Sequence, residues 1–562
     1  MINQTHYKSP FKTLLLVLVV TFVATFFALV LSKVVPDQLF TANSKFTSNT
    51  KSSNQIDENK SSPPTTTTEN NEILDWKQDP DIINHMQNFP RLYSDNLTNP
   101  LYPFTFPSVL ADKKRQAAVK EAFLHAWNSY CKTCWGQDEL EPLTNTCGNF
   151  FGAGLTMIDA LSTIIIMNLK DDYEKILKWI KNDFKPQGSY SLFEFIIRVL
   201  GGVLSAAELT GHPLLVDKAT KIGEAILPIM ERTKGFYSSS VTYRTNEDGS
   251  ITIMGGTGGH YCLAEIGTFQ LEFYTLSRMT EDDRYVRAAL PVYNKLWLEN
   301  LNRGLISPGV GGQYDSYYEY VIKGYVMING ASDEMLNRHL LLMNDVRNTL
   351  LTKSLNQKLL VYGPEMEHLA TFFGGMVAVG AVKDNPKRED DMNMALKFAD
   401  TYYEMYQAFK SGIMPEIVKV NLGDANNKRD FAVKEDMYIL RPEAIESIYV
   451  AWKFTGDEKY RNYAWKMFKA INKTCRLEHG FSSIQYLDSE KPSHENKMES
   501  FFLAETLKYL YLIFSDSHLI SPAHWVFNTE AHPLRIWDQK TTDYYKDFFE
   551  FTKIKELREK VK

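Results

Sequence analysis

The most constraining feature of this sequence is a group of four predicted helices that are apolar on every side. They belong to a region that reads as one helix after another from about Lys113 onward. A helix without a polar face has to be buried, because none of its sides is suited to water. The four segments cover residues 189–205, 368–382, 440–452 and 498–514. They predict an all-α fold with these helices in its core.

A few ionisable side chains interrupt the four apolar segments. Burying a charge is costly unless the charge is paired or bound to a ligand. A ring of such helices with its carboxylates turned inward describes a polar cavity at the centre of an apolar barrel. The ionisable residues concerned are Glu194, Arg198, His368, Arg441, Glu443, Glu446, Glu499, Glu505 and Lys508.

Structural ion pairs are the alternative explanation of these charges. Glu194 and Arg198 are four residues apart, so they share one helix face. Arg441 and Glu446 lie about one helical turn apart and are the second possible pair. Purely structural pairs would not need the surplus of carboxylates found on separate buried helices. The surplus therefore favours a functional cavity.

Recurring turn sequences indicate how the helices are connected. Residues 209–213, 279–285 and 454–460 each end an apolar helix, turn through Thr and small or acidic residues, and start a new helix. Residues 169–173 are a looser copy. Helical hairpins at irregular spacing predict an αα barrel with long inserted loops rather than an open array. Residues 237–253 alternate like β-structure and predict a hairpin or an extended loop.

Asp315 stands in a different context from the other acids. It follows the glycine-rich loop of residues 309–313 and precedes a Tyr-rich helical segment. Glycines allow the backbone to approach a ligand closely, so Asp315 is a candidate site residue at a loop-to-helix junction. A helix N-cap is the structural alternative for this residue.

The N-terminal region predicts a membrane anchor followed by a stem. Residues 14–31 form an uncharged apolar run whose length suits a transmembrane helix better than a cleaved signal peptide, the alternative. We assign residues 1–12 to a cytoplasmic tail, 13–33 to a signal anchor and 34–110 to a largely disordered lumenal stem. Glycosylation sequons begin at Asn59, Asn96 and Asn472.

Charge and cysteine content restrict the function classes. The net charge of −6 and the lack of a dense basic block argue against nucleic-acid binding. The five cysteines leave at least one without an intramolecular partner. For Cys131 and Cys134 we expect either a local disulfide or two unpaired thiols. No Cys and His cluster has the spacing of a zinc site.

The same segments resemble the class I α-mannosidases, glycoside hydrolase family 47. The resemblance runs from about Arg115 to Trp537 in blocks that keep the same order. Blocks of this length make a chance match negligible. They are residues 126–127, 135–140, 155–161, Phe193-Glu194 with Arg198, 201–202, 315–320, 368–369, 440–443 with 446–447, 498–509 and 527–534.

The resemblance implies an (αα)7 barrel over residues 111–540, followed by a C-terminal helical tail over 541–562. It also implies inverting, Ca2+-dependent hydrolysis of α-1,2-linked mannose from high-mannose N-glycans. The implied location is the endoplasmic reticulum or Golgi membrane, as a single-pass type II protein and a monomer. Inversion needs a protonated and an ionised carboxyl group about 6.5–9.5 Å apart.

Residue roles are also carried over by the resemblance. Glu194 matches the favoured general acid, Glu443 the base, and Asp315 a further essential carboxyl whose share in the acid role is debated. Thr529 matches the calcium ligand, with waters and sugar hydroxyls as the others. The residues that match the sugar-binding floor are Arg198, His368, Arg441, Glu446, Phe501, Glu505 and Glu530.

The sequence departs from the family at three places. Thr371 and Tyr402 replace the cysteines of the usual disulfide, so packing has to stabilise that region. Gln313 stands where other members have Arg or Leu, which leaves the branch specificity open. Gly374 begins a Gly-Gly pair in place of Pro-Gly.

Two other functions remain as alternatives. One is a mannosidase-like glycan-binding protein of glycoprotein quality control with little catalysis. The other is an αα-barrel hydrolase of different specificity. Retention of Glu194, Asp315 and Glu443 favours an active hydrolase, and the block of residues 527–534 disfavours another specificity.

Overall fold

The computed structural model describes residues 92–94, 96–361, 364–424 and 426–561 of the chain. The cytoplasmic tail, the signal anchor and most of the stem predicted from the sequence lie outside these residues. Within the described ranges, no helix has both the length and the apolar character needed to cross a membrane.

In the part of the chain that the structure describes, fourteen longer helices form the domain, and two more follow them at its C-terminal end. Their bounds are α1 Lys113–Cys134, α2 Leu155–Ile166, α3 Lys170–Asn182, α4 Gly201–Thr210, α5 Pro213–Thr233, α6 Gln270–Thr280, α7 Asp283–Glu299, α8 Asp315–Met327, α9 Asp333–Thr349, α10 Phe373–Val379, α11 Arg388–Gln407, α12 Glu443–Thr455, α13 Glu458–Thr474, α14 Leu507–Ile513, α15 Gln539–Tyr545 and α16 Thr552–Val561.

Short helical turns lead into several of these helices or follow them. They are Leu192–Glu194 and the π-helical Phe195–Leu200 before α4, Leu263–Gly267 before α6, the 3-10 turn Leu369–Phe372 before α10, the π-helical Phe502–Thr506 before α14, and the 3-10 turn Lys546–Phe549 after α15.

The predicted helical hairpins are confirmed. Helix α4 ends at Gly211 and α12 at Gly456, and both glycines adopt the left-handed conformation with φ 68°. A residue with this conformation satisfies the last helix carbonyls and stops the helix. The next helices begin with capping side chains from His212, Asp282 and Asp457. The turns are therefore encoded locally, as the repeated sequence signature indicates.

The even-numbered helices from α2 to α14 pack side by side and close into a ring. Contacts run from α2 through α4, α6, α8, α10 and α12 to α14, whose π-helical entry packs against α2. Helices α3, α5, α7, α9, α11, α13 and α1 each cover one member of the ring from outside. Every residue of α2 is buried. The domain is thus a helical barrel with the apolar helices inside, as the all-α prediction requires.

Short strands connect the helices. They are β1 Glu139–Glu141, β2 Thr146–Gly148, β3 Gly188–Ser191, β4 Ser240–Thr245, β5 Ile251–Gly255, β6 Thr352–Lys353, β7 Leu359–Leu360, β8 Glu365–Glu367, β9 Ile417–Val420, β10 Phe431–Glu435, β11 Met437–Tyr438, β12 Arg476–Leu477, β13 Gly480–Phe481, β14 Ile484–Gln485, β15 Ser493–His494, β16 Trp525–Phe527 and β17 Pro533–Arg535. All their pairings are antiparallel.

The predicted hairpin of residues 237–253 is confirmed as β4 and β5, which form one sheet in the order β3-β4-β5. A second sheet has the order β10-β9-β8, and a third the order β11-β14-β15. The strands β3, β8 and β11 each lead directly into an inner helix or the turn before it. The sheets therefore fix the entry of the chain into the barrel at several points.

The hairpin of β16 and β17 has a special position, because it contacts inner helices. Strand β16 packs on α8, and β17 packs on α4 and α6. The side chain of Ser205 donates to the carbonyl of Pro533 at 2.9 Å, and Lys508 Nζ donates to the carbonyl of Ala531 at 2.6 Å. The turn of the hairpin is therefore held among the ring helices.

Some predicted helix limits differ from the structure. The segment 189–205 begins as strand β3, and its helical part starts at Leu192. Arg441 and Glu499 precede the helical residues of their segments instead of belonging to them. In both cases a strand or bridge pairs the backbone just before the barrel helix, which apolar periodicity does not reveal.

The prediction for the C-x-x-C pair is wrong. Cys134 forms a disulfide with Cys147, with the two Cα atoms 5.5 Å apart, and Cys131 is a free thiol. Cys147 lies on β2, which turns back toward the end of α1 after β1. Pairing across this turn is a tertiary contact, so the short spacing of the motif was misleading.

The last part of the predicted stem packs on the barrel. Tyr102 and Phe106 are buried, and their rings lie 5.5 and 5.1 Å from the ring of Phe454 at the end of α12. The packed domain therefore begins before the boundary at residue 111. At the other end, α15 and α16 bury Tyr545 and Ile554.

A tight contact between α2 and α4 leads to a stability prediction. A Cβ atom on Gly202 would lie 2.6 Å from the carbonyl oxygen of Ile158. We expect Gly202→Ala to lower the free energy of unfolding by about 1–3 kcal/mol, because two inner helices have to separate. Gly423→Ala is the control, since nothing lies within 4 Å of its added Cβ. Equal denaturant midpoints for both variants would contradict the close approach.

Candidate active site

The inner helices surround a polar cavity of about 470 Å³. It contains most of the residues that the sequence analysis singled out. Three of them do not line it. His368 lies behind the cavity wall and contacts Glu443, Lys508 donates to the carbonyl of Ala531, and Glu499 pairs with Lys497 at 2.9 Å. The predicted residues that line the cavity are Glu194, Arg198, Asp315, Arg441, Glu443, Glu446, Phe501, Glu505, Thr529 and Glu530.

Helix beginnings supply many of the acids. Asp315 is the first residue of α8 and Glu443 is the first residue of α12. Glu194 stands just before the π-helical entry to α4, and Glu505 lies within the π-helical entry to α14. Partial positive charge at a helix N-terminus stabilises a carboxylate there. The ring of antiparallel hairpins thereby directs carboxyl groups from different parts of the chain to one end of the barrel.

Arg198 is the cation at one side of the cavity. Its Nε donates to Glu194 Oε2 at 2.7 Å and its Nη1 donates to Glu530 Oε1 at 2.7 Å. The guanidinium carbon lies 5.3 Å from the centre of the Phe501 ring. The predicted pair of Glu194 and Arg198 is therefore present, but it is part of the cavity wall, so the structural and functional explanations both apply.

Glu443 is held by two donors on the opposite side. His368 Nδ1 lies 2.9 Å from Glu443 Oε2, and Arg441 Nη1 lies 3.5 Å from Glu443 Oε1. Burial raises the pKa of the Glu443 carboxyl, but Arg441 and His368 outweigh burial, and the pKa lies below its ordinary value. Glu443 is therefore kept ionised, as a base requires.

The predicted pair of Arg441 with Glu446 is wrong. Arg441 donates from Nε to Glu416 at 2.8 Å, and Glu446 instead accepts from Lys323 Nζ at 3.2 Å. Arg441 lies before α12 and is turned toward the loop that carries Glu416. Spacing along a helix could not show this, because the partners come from other parts of the chain.

Asp315 has the opposite protonation tendency from Glu443. Burial raises the pKa of Asp315 to about 7, the backbone N–H of Ser316 opposes the rise, and the carboxyls of Glu319 and Glu443 add to it. The N-cap alternative is not observed, because Asp315 is the first helical residue and its N-cap position belongs to Tyr314. The cavity thus contains one carboxyl that retains its proton and one that has lost it.

The floor of the cavity has a surplus of acid. Burial raises the pKa of Glu446 to about 7 and raises the pKa of Glu505 and Glu530 well above the ordinary value, with mutual repulsion adding to the rise for Glu505. Thr529 stands beside Glu530 at the tip of the β16–β17 hairpin and lines the same cavity. A hard cation bound there would suit these oxygen atoms and offset the repulsion.

The sequence analysis missed the network that supports this tip. Glu272 on α6 is fully buried and accepts from Tyr320 at 2.8 Å and from Asn528 at 2.9 Å. Asn528 in turn accepts the backbone N–H of Glu530 at 3.0 Å, which fixes the turn around Thr529. An acid in the apolar helix of residues 270–280 was a detectable signal, of the same kind as the acids singled out elsewhere.

No group of three His, Cys, Asp or Glu side chains in the described ranges has the arrangement of a metal site. A cation at Thr529 would instead use the Thr hydroxyl and carbonyl oxygens together with waters. Such waters need carboxylate acceptors around them, and Glu446, Glu505 and Glu530 line the cavity with Thr529. The donor set therefore fits a hard, water-rich cation such as Ca2+.

A helical barrel whose central cavity pairs a protonated with an ionised carboxyl group has the features of a glycoside hydrolase. The family model of glycosyl hydrolase family 47 matches residues 122–536. The chain belongs to this family.

Two relatives illustrate the sequence match. Endoplasmic reticulum mannosyl-oligosaccharide 1,2-alpha-mannosidase of Mus musculus is 36% identical over 77% of this chain and 71% of its own length. Mannosyl-oligosaccharide 1,2-alpha-mannosidase IC of Homo sapiens is 36% identical over 75% of this chain and 71% of its own length.

A solved structure agrees with the fold. The alpha-1,2-mannosidase from Trichoderma reesei superposes with a TM-score of 0.69 at 28% identity, over 76% of this chain and all of its own.

The family departures lie close to the site. Thr371 and Tyr402 are buried, and a Cβ on Gly374 would lie 3.1 Å from Tyr402. Helix α10 packs closely on α11 in this region. Gln313 lines the cavity next to Asp315 with a left-handed φ of 73°, and its carbonyl accepts from the N–H of Ala264 at 2.9 Å.

The pKa values of Asp315 and Glu443 are shifted in opposite directions, which predicts opposite effects of the two carboxyls on the pH dependence of the free energy of unfolding. The unfolded Asp carboxyl loses its proton near pH 4, whereas folded Asp315 keeps it to about pH 7, so this group lowers stability as the pH rises between those values. We expect Asp315→Asn to gain about 2 kcal/mol relative to the parent chain between pH 4.5 and 8.

Glu443→Gln should behave in the reverse sense. Its lowered pKa contributes stability above the unfolded value, so the variant is destabilised at pH 7 and the difference shrinks as the pH falls below about 4.5. Urea unfolding across this pH range measures both effects. Glu299→Gln, at an exposed position, is the control. Parallel curves for all three variants would contradict the separated pKa values.

Proposed function

We propose that this protein removes terminal α-1,2-linked mannose from high-mannose N-glycans by inverting, calcium-dependent hydrolysis. The observation that carries the proposal is the opposite protonation of Asp315 and Glu443 in one cavity. The names of the relatives support the choice of mannose.

Glu443 is the general base of the proposed reaction. It is ionised, and Arg441 and His368 fix both of its oxygens. An oriented carboxylate can take a proton from water as the water attacks the anomeric carbon. The contacts with Arg441 and His368 keep the carboxylate in place.

Asp315 is a better candidate for the general acid than Glu194. It retains a proton up to about pH 7, so it can protonate the leaving oxygen near neutral pH. Glu194, the acid favoured by the resemblance, accepts a charge-assisted hydrogen bond from Arg198 at 2.7 Å. This bond holds the Glu194 carboxyl in place, which suits it to positioning a water or a sugar hydroxyl.

The remaining cavity residues bind the sugar. Phe501 offers a ring to the apolar face of a pyranose, and Arg198 fixes that ring from the side. Glu446, Glu505 and Glu530 accept hydrogen bonds from hydroxyl groups of the terminal mannose. The carboxyl groups that outnumber the cations in this cavity can accept hydrogen bonds from the sugar hydroxyls.

Calcium completes the proposed site. Thr529 would hold the ion, with waters oriented by Glu446, Glu505 and Glu530. When bound, the ion supplies a fixed positive charge that orients sugar hydroxyls and water. The protein contributes the cradle, because Asn528 and Glu272 hold the hairpin tip rigidly.

The finer features of the family follow as part of the proposal. The seven helical hairpins correspond to an (αα)7 barrel. Residues 13–33 anchor a type II protein in the endoplasmic reticulum or Golgi membrane, with a monomeric catalytic domain in the lumen. Asn96 is exposed and available as a glycan acceptor there.

A glycan-binding protein without turnover is the second candidate, and the intact pair of Asp315 and Glu443 argues against it.

The activity test uses a free nine-mannose oligosaccharide. We expect release of mannose, with β-mannose as the first sugar detected by NMR because the reaction inverts. Glu443→Gln should lower kcat by about 10²–10⁴-fold and still bind the glycan. Glu299→Gln should keep full turnover. An α-product, or normal turnover of Glu443→Gln, would overturn the mechanism.

The calcium test has a readout besides activity. Ca2+ should raise the melting temperature of the chelator-treated protein, since binding at 100-fold excess over Kd adds about 2.7 kcal/mol to folding. Thr529→Val should lose this shift, and the exposed Thr252→Val should keep it. EDTA should abolish mannose release. Turnover that is unchanged by EDTA would exclude the ion.

A further inference from the structure

A second cavity lies on the outer layer of the barrel. It has a volume of about 530 Å³, lies along α1 and α3, and shares no lining residue with the catalytic cavity. We call it the outer groove and define it by the side chains that the following argument uses. These are Asn128, Trp135, Asp172, Lys175, Trp179 and Asn182.

Trp135 and Trp179 are the two aromatic residues that line the outer groove. Both indoles are half-buried, so each presents a part of its ring to the solvent. A Cβ on Gly136 would lie 3.0 Å from Trp179 Nε1, and one on Gly154 would lie 2.6 Å from the same ring. Trp135 rests against the buried Trp127, with ring centres 6.3 Å apart and an angle of 67°. The indoles are therefore rigid and need little ordering on binding.

Polar side chains surround the indoles. Asn128 and Asn182 are exposed, and across the described ranges neither side-chain amide has a hydrogen-bond partner. Asp172 lies 3.7 Å from Lys175, and the lining contains as many carboxylates as ammonium groups. The balance of charge favours a neutral ligand over a phosphate or an acidic peptide.

Rigid aromatic faces with free amides suit the chemistry of carbohydrates. The C–H face of a pyranose packs on an indole, and paired hydroxyls exchange hydrogen bonds with an amide that donates and accepts. The volume is similar to that of the catalytic cavity, which the proposed function assigns to sugar residues. A branched glycan has several arms, and only its reacting arm can occupy the catalytic cavity.

We propose that the outer groove is a non-catalytic binding site for a neutral oligosaccharide, with Trp135 and Trp179 as its stacking surfaces. The choice of high-mannose glycans as its ligand rests on the proposed function. Occupation of this groove by one glycan would raise the local concentration of others on the same glycoprotein at the catalytic cavity.

The test is calorimetry on the full chain in detergent, titrated with a free nine-mannose oligosaccharide. Glu443→Gln is the background in every sample, so that no turnover occurs. We expect two classes of sites. Trp135→Ala and Trp179→Ala should each weaken one class by at least about tenfold and leave the other unchanged. Tyr544→Ala is the control, because Tyr544 is an exposed aromatic residue outside the groove.

A second variant avoids the packed indoles. Asn128→Leu combined with Asn182→Leu changes exposed side chains only, and it should weaken the same class of sites without lowering the melting temperature. With Glu443 restored, this variant should hydrolyse α-1,2-mannobiose normally and show a raised KM for a multiply glycosylated protein.

The outcomes separate the two proposals. A single class of sites that neither the Trp nor the Asn variants affect would overturn the groove and leave the hydrolase standing. If the oligosaccharide binds at the groove but the chain with Glu443 restored releases no mannose, the hydrolase proposal is overturned and the groove proposal stands. Binding of an unglycosylated polypeptide at the groove in place of the oligosaccharide would overturn the assignment of its ligand.

Discussion

The structure depends on the burial of more carboxyl groups than cations inside a ring of apolar helices. Arg198, Arg441 and Lys323 each bridge acids from different segments of the chain, and the acids left over keep protons or leave room for a cation. An arrangement of this kind costs folding energy, because buried charge loses its hydration. A chain that folds in spite of this cost brings many charged and polar groups together in one cavity, which suits the cleavage of a glycosidic bond.

Helical hairpins explain how the charges reach a common point. Several hairpins turn through locally encoded caps, and because each inner helix is followed by an outer helix that runs back, successive inner helices enter the ring from the same end. Their N-termini meet around the cavity, and the short strands fix how the chain enters each helix. The β16–β17 hairpin then brings Thr529 to the same place, held by Asn528 and Glu272.

Accessible aromatic rings occur both in the central cavity and on the outer layer of helices. Phe501 lies inside the ring with the carboxyls, whereas Trp135 and Trp179 lie on the outer layer with amides and balanced charges. The inner surface has acids with separated pKa values, Asp315 and Glu443. The difference matches cleavage inside the barrel and simple binding outside it.

The sequence alone determined the fold class, the hairpin turns and the candidate site residues, because apolar helices and caps are local signals and buried acids in them are conspicuous. Only the tertiary structure decided the partners. Arg441 binds Glu416 rather than Glu446, Cys134 pairs with Cys147 rather than Cys131, and Glu272 supports the hairpin tip. The protonation of Asp315 and Glu443 likewise depends on neighbours from distant segments. Contacts between distant segments and the burial they produce arise only when the ring closes, so no spacing along the chain could have revealed them.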